Sequence, residues 1–541
     1  MWLIEKLKQR LWVIPTLVFT ILVILGANMH PLWGDEAETA LFARNILKYG
    51  LPKGWDGVNI MGINNAVVLN KDLVNYTSPW LQYYTAAASF LLFPQTSFAA
   101  RLPFIIFSVL SMPLLYFLTL KLTKDKLSSF ITVLIAGLSV PFILFSYQAR
   151  YYALTSFAGL ALAISIFKLT EKNWRWKVVF VLSGVFFFYA NYVVFAAFYL
   201  SLSVSYLIYL LLSKKSLKSY LFNLFVASIF IAVCTLPWFL KMKPFEGRGE
   251  IVRAEVNISY IKDFAALLKE SYRPFNQNNA LPILLIPLLF GFIFYLVRAK
   301  KNVAFILFPS LLTLFYLFLM TLATAVAMTD TAFIHVRYTM SIFPFMSIIS
   351  GVIAARIIRW NKAVGGLFLV LFIATNLLTL QKPRSFLTEF LKEAANPYPS
   401  PDKVVADYLA KNAKEGDTAF VSLDRNHEPL IFYLGDKIRF VNRVSRTNRR
   451  LFPWNRSVLP RYIYDFRENP DWIILYSKRG NYGTFLTFDY RFLSPGINMM
   501  DYKEVVLPIF FSDMSRPEIE YRSFKEINPG YNDQVFIYSL R

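Results

Sequence analysis

Three carboxylic acids crowd the segment WGDEAETALFARNILKYG: Asp35, Glu36 and Glu38, directly behind an apolar run that ends near residue 29. Carboxylates in such a place have two uses. The first is structural: Asp35 as an N-cap with Glu38 three positions on fits a capping box, and Gly50 fits the residue that stops the helix. Ala37, Ala40, Leu41 and Leu47 then give an apolar stripe for a helix lying on a membrane surface. The second use is chemical. An acid that emerges where a span meets water is partly desolvated, which raises its basicity, and it can still meet a substrate carried in the lipid. Both uses suit Glu38; they compete for Asp35.

A membrane is implied by composition. Of 541 residues, 56% are hydrophobic and 17% aromatic, only 17% are charged, and the mean hydropathy is +0.44. Soluble domains carry about 25% charged residues, so this chain reads as a polytopic helical membrane protein. Its single cysteine, Cys234, excludes an intrachain disulfide, and three histidines without CxxC or HExxH exclude the common zinc motifs. The sequence points to no cofactor. His30 and His335 both fall at the outer boundary but lack a third metal ligand, and a divalent metal requirement stays open.

Charge divides the chain near residue 380. Residues 381–541 hold 24 Lys+Arg and 20 Asp+Glu, about 27% charged, an ordinary soluble value. The first 380 hold 33 and 14, about 12% charged, and carry most of the net +23. Their basic residues sit in short clusters between apolar runs, among them Lys121/Lys124/Lys126, Lys168/Lys172/Arg175/Lys177, Lys214/Lys215/Lys218, Arg298/Lys300/Lys301 and Arg356/Arg359/Lys362. The positive-inside rule explains this excess without nucleic acid, and no nucleic-acid module is recognisable. Placing every cluster in the cytoplasm requires paired spans. Runs near 11–29, 102–120, 127–146, 151–167, 178–194, 196–212, 220–240, 281–297, 303–325, 338–356 and 363–380 satisfy this with about eleven transmembrane helices. The N-terminus is then cytoplasmic and the C-terminal part extracytoplasmic. The short stretch PWLQYYTAAASFLLF, 79–93, would invert every later loop if it crossed, so it reads as a surface helix in the outer loop 30–101. A second outer loop, 241–280, carries VNISYIKDFAALLKE at helical spacing, another surface helix, with Arg248, Arg253 and Arg273 beside it.

The outer segments carry a family resemblance. A span ending before Asp-Glu, then ALFARNIL, a Pro-aromatic helix (SPWLQYY), AARLP opening the next span, SYQARYYAL at 146–154 and HVRYTMSIFPF at 335–345 together resemble the GT-C superfamily. These are polyprenyl-phosphate-sugar-dependent glycosyltransferases, and the chain is similar to their protein mannosyltransferase and aminoarabinose transferase branches. The resemblance implies a sugar donor linked by phosphate to an isoprenoid in the bilayer, and a lipid, glycan or protein acceptor. It implies that Asp35 is the general base of an inverting displacement, supported by Glu36. It also implies that Arg150 and Arg337, at the outer ends of spans, bind the donor phosphate, since a guanidinium grips phosphate bidentately. Arg44, Tyr151, His335 and Tyr338 are further expected substrate contacts. For each arginine the plain alternative is a snorkelling interfacial side chain, and for Tyr151, Tyr152 and Tyr338 an interface anchor. Two positions depart from the family: Thr155 stands where several branches place an acid, and Thr77-Ser78 precede Pro79 where the aminoarabinose branch has Glu-Lys. Those departures count against aminoarabinose transfer.

Residues 381–541 read as a small α/β domain behind a Pro-bearing linker, 381–400. DKVVADYLAKNAKEGD is a helix, TAFVSLD a strand, HEPLIFYLGDKIRFV a short helix and a strand, and DWIILYS a buried parallel strand. It has no phosphate loop or catalytic triad order, and His427 reads as a surface residue near a helix start. The resemblance implies that this domain packs over the active face. Outside glycosyl transfer, the same spans could belong to a lipid or solute transporter or flippase, or to a polysaccharide-assembly scaffold. Nearly charge-free spans without repeats disfavour transport.

Overall fold

The computed structural model describes residues 12–61, 69–171, 173–214, 216–243, 282–299, 302–323, 336–377, 386–421, 427–441, 469–476, 498–512 and 531–540. His335 and nearly all of the 241–280 loop, with its expected surface helix and three arginines, lie outside them.

Helix occupies each apolar run expected to span. The helices are α1 (Val13–Met29), α2 (Gly34–Tyr49), α3 (Leu81–Leu92), α4 (Ser97–Thr123), α5 (Lys126–Gly137), α6 (Val140–Ser146), α7 (Tyr152–Ile166), α8 (Trp174–Ala190), α9 (Tyr192–Leu212), α10 (Leu217–Met242), α11 (Pro282–Arg298), α12 (Ala304–Ala323), α13 (Phe343–Trp360) and α14 (Lys362–Leu377). Among the described residues, α4, α9, α10 and α13 are long and apolar enough to cross a membrane individually. The chain is thus a helical membrane protein with a C-terminal sheet domain. The expected run 127–146 is broken: α5 stops at Gly137 and α6 restarts with Pro141 in its first turn. Proline has no N–H for the preceding turn and disfavours helix at the residue before it, so one run becomes two helices. The run at 338–356 is shifted for a similar reason. Arg337 and Tyr338 lie in a 3-10 turn, Val336–Thr339, and α13 opens later, with Pro344 in its first turn.

Charged contacts bring four basic clusters to one end of the bundle. Lys121 lies over the Phe167 ring at 5.3 Å, beside the 168–177 cluster. Arg359 pairs with Asp125, which also caps the N-terminus of α5. Arg356 Nη2 donates to Tyr295 Oη at 3.3 Å, next to the 298–301 cluster. At the opposite end the chain bends by 86° between α1 and α2, so α2 lies across the bundle.

Two glycines make that end possible. Gly50 takes φ +75°, a left-handed conformation cheap only for glycine, and its N–H caps Ile46 O to stop α2. Gly26 in α1 lies so near the Tyr147 ring that a Cβ there would come within 2.4 Å of it. Within α2, Ala37, Ala40 and Leu41 are buried as expected, whereas Leu47 is exposed, at the edge of the stripe rather than inside it. The stretch 79–93 forms α3, packed on α2 through the Phe42–Tyr83 ring pair at 4.9 Å.

The C-terminal region contains α15 (Phe386–Ala395), α16 (Pro401–Asn412), β1 (Asp417–Val421), α17 (His427–Leu434), β2 (Ile438–Val441), β3 (Trp472–Tyr476), β4 (Tyr502–Phe511) and β5 (Tyr531–Leu540). Strand order is β2-β1-β3-β5-β4. β3 pairs in parallel with β1, as its unbroken apolar run implies, but antiparallel with β5, so the sheet is mixed. Most of the described part of the expected linker 381–400 is the helix α15, and Tyr398 beyond it stacks on Phe510 at 4.0 Å. His427 starts α17 as expected but is buried, with Nε2 3.3 Å from Glu428; burial depresses its pKa to about 4.

Candidate active site

The acids of α2 diverge because successive helical residues point about 100° apart. The N-cap is Trp33, in an extended conformation and without a side-chain cap, and Gly34 begins the helix. Asp35 therefore occupies the first turn and is not the expected N-cap, so the capping box does not form and the Asp35 carboxylate is available for other contacts.

Glu36 turns inward and is fully buried. Its Oε1 accepts from Arg101 Nε at 2.8 Å and from the Ala149 backbone N–H at 2.8 Å, and its Oε2 accepts from Arg101 Nη2 at 2.5 Å. The remaining Arg101 donors reach Ala27 O and His30 O, at 2.8 and 2.7 Å, and Pro31 O at 3.1 Å. All five guanidinium donors are thus used. This pair ties α2 to α4, to the end of α1 and to the turn that carries Arg150. Sequence reasoning quoted Arg101 only within AARLP and missed its role. The available signal was a lone cation opening an apolar helix directly after the acid-bearing loop.

Asp35 faces the other way and is about one-third exposed. Arg150 Nη2 lies 3.3 Å from its Oδ2, and Arg337 Nη1 lies 3.9 Å from the same oxygen. Arg150 Nη1 also donates to Asp35 O at 3.3 Å and Thr39 Oγ1 at 3.4 Å, and stands 3.9 Å from Glu38 Oε2. Residues 35, 150 and 337 therefore meet at one point although they come from three separate segments. Tyr151 and Tyr338 flank the cations: Arg150 lies 5.9 Å from the Tyr151 ring and Arg337 4.9 Å from that of Tyr338. Burial works to lower the Arg337 pKa, but Tyr338, Tyr151 and Asp35 outweigh it and raise it, so the guanidinium stays charged.

The other expected contacts fall elsewhere. Arg44 stacks 4.1 Å over Phe432 of α17; burial lowers its pKa to about 10, against Asp436 and Asp56, so it joins α2 to the C-terminal region. Tyr152 is fully buried against Phe145 and Tyr151, a core residue and not an interface anchor. Thr155 is buried with its hydroxyl on Tyr152 O. Asp56 caps its own turn, accepting from Val58 and Asn59 N–H, and its pKa is raised chiefly by burial. Asp72 is exposed. Among the described residues no three His, Cys, Asp or Glu side chains gather as metal ligands, and Asp35 and Glu38 both face arginine.

The C-terminal region docks beside this site. Tyr433 Oη accepts from the Leu32 N–H at 2.9 Å and shares a 2.7 Å hydrogen bond with Ser97 Oγ, spanning the two ends of the first outer loop. Asn59 of that loop pairs with edge strand β2, donating to Ile438 O at 2.9 Å and accepting from Phe440 N–H at 2.8 Å.

This end of the bundle, with an acid in the first turn of α2 and two arginines in the turns before α7 and α13, belongs to a fold that known structures share. ArnT from Cupriavidus metallidurans in the apo state matches with a TM-score of 0.55 at 13% identity, covering 97% of each chain. The same protein bound to undecaprenyl phosphate matches at 0.54 and 13%, again over 97% of each. The apo Archaeoglobus fulgidus oligosaccharyltransferase gives 0.48 and 11%, over 87% of this chain and 70% of that one. The chain is similar to ArnT in fold along its whole length, as the GT-C resemblance implied. No family model and no curated protein matches the sequence.

Proposed function

We propose that this chain is a membrane glycosyltransferase that moves a sugar from a polyprenyl-phosphate donor to an acceptor hydroxyl on a lipid, glycan or protein. The observation that carries this reading is the convergence of Asp35, Arg150 and Arg337 at one end of the bundle in an ArnT-like fold. Asp35 removes the acceptor proton while the hydroxyl oxygen attacks the anomeric carbon, and the bond to the phosphate oxygen breaks with inversion. Arg150 and Arg337 hold the phosphate as it gains charge. Glu36 touches neither substrate; through Arg101 and Ala149 it positions Asp35 and Arg150. Tyr151 and Tyr338 line the cations. The undecaprenyl phosphate seen on the ArnT relative supports the donor class. In this reading residues 1–380 are the catalytic domain, with about eleven crossings and a cytoplasmic N-terminus, and 381–541 are extracytoplasmic at the plasma membrane.

The test is transfer in detergent from a panel of polyprenyl-phosphate sugars, with product identified by mass spectrometry. Asp35→Asn is expected to lower kcat by about 10³-fold, within the range for a lost general base, with an unchanged melting temperature. Near-normal turnover in that variant removes the mechanism.

A further inference from the structure

Glu38 is a carboxylate that the transfer reaction leaves unused. It sits one turn after Asp35 on the same helix, one-fifth exposed, with Oε2 3.9 Å from Arg150 Nη1. Arg150 thus stands beside two carboxylates, and Arg337 stands 3.9 Å from the Asp35 carboxylate. Glu38 also bears on Tyr83 of α3, whose pKa is raised by burial first and by Glu38 second. Among the described residues, two acids and two guanidiniums balance one another in this cluster. If phosphate binding alone had shaped it, the second acid would be a cost.

We propose that Glu38 is a counter-charge that competes with phosphate for Arg150 and so speeds departure of the spent lipid phosphate. The inference rests on the glycosyltransferase reading. In the transfer step the acceptor O–H proton passes to Asp35, the new bond forms at the anomeric carbon, and the electron pair of the broken bond stays on the phosphate oxygen. The donor is a phosphodiester with one negative charge; the product is a monoester with two. Two fixed arginines would therefore hold product more tightly than donor and stall turnover. A fixed negative charge across Arg150 repels each ligand in proportion to its charge, so it penalises product about twice as much in free energy as donor.

That proportion is the test. The full chain in detergent is titrated at pH 8 with decaprenyl monophosphate and with its methyl diester, which carry the product and donor charges. Glu38→Gln is expected to tighten the monophosphate about tenfold and the diester about threefold. Glu38→Asp, with its carboxylate drawn back from Arg150, is expected to shift both less and in the same direction, and it stands in if the glutamine variant fails to fold. Equal shifts for the two ligands, no shift, or weaker binding overturns the counter-charge; weaker binding would make Glu38 a prop that holds Arg150 in place. A wild-type chain that binds neither lipid overturns the glycosyltransferase reading itself.

Discussion

Asp35 and Glu36 are chain neighbours of like charge, yet they live in opposite environments. Glu36 is sealed from water, its oxygens filled by Arg101 and a backbone N–H at 2.5 to 2.8 Å. Asp35 is partly exposed, its cations are 3.3 and 3.9 Å away, and the nearer one, Arg150, is shared with Glu38 and Thr39. A saturated buried pair has nothing left to offer a ligand and acts as a pin. Loose, half-wet pairs can exchange partners, and a phosphate has three or more oxygens to offer the arginines in place of a carboxylate. The difference teaches that ion pairs near a suspected site should be sorted by how completely they are satisfied, before any role is assigned.

The comparison can be broken most directly at its sealed half. Glu36→Gln leaves Arg101 buried without its counter-ion and should cost about 3–5 kcal/mol of stability, read from denaturant unfolding in detergent. A variant that unfolds like wild type would dissolve the distinction between the two acids. Next in size, Asn59→Ala removes two buried hydrogen bonds to β2 and should cost about 2 kcal/mol, visible as faster proteolysis of the C-terminal region. On the open half, Arg337→Lys should weaken binding of a polyprenyl monophosphate about tenfold with unchanged melting, because an ammonium cannot replace the planar fork. An equal loss of stability there would make Arg337 another pin.

The smallest effect expected is in pH. His30, beside the Arg101 carbonyl acceptors, has its pKa lowered to about 3, first by burial and then by Arg101. The unfolded chain binds that proton near pH 6.5 and the folded chain does not, so stability is lost as pH falls below about 6.5 toward 3. His30 alone should lower stability at pH 5.5 relative to pH 7 by about 1 kcal/mol, and His30→Gln should remove that share while the similar share from buried His427 stays.

Much of this was legible from residue order. Apolar runs of span length declared the helices, since water cannot satisfy a backbone in hydrocarbon, and the basic clusters declared which ends belong together. In the C-terminal region α16, α17 and strands β1 to β3 were legible from alternation and apolar runs, whereas β4 and β5 went unrecognised. Errors fell where a local pattern had two solutions. Asp35 matched a cap that Trp33 took, and Pro141 divided a run whose hydropathy was continuous. The 381–400 segment was proline-bearing yet mostly helix in its described part, and His427 was polar yet buried. Leu47 fitted the stripe by spacing alone.

Residue type and placement beside a span singled out Asp35, and the GT-C resemblance nominated Arg150 and Arg337 and gave all three their roles. That the three meet, that Glu36 is spent on Arg101, and that Arg44 faces Phe432 instead of the site came only from tertiary structure. The reason is geometric. The residues that meet lie 65 or more positions apart in the chain, and which side of a helix each faces depends on where the 86° bend after α1 and the packing against Tyr147 and α17 fix its rotation.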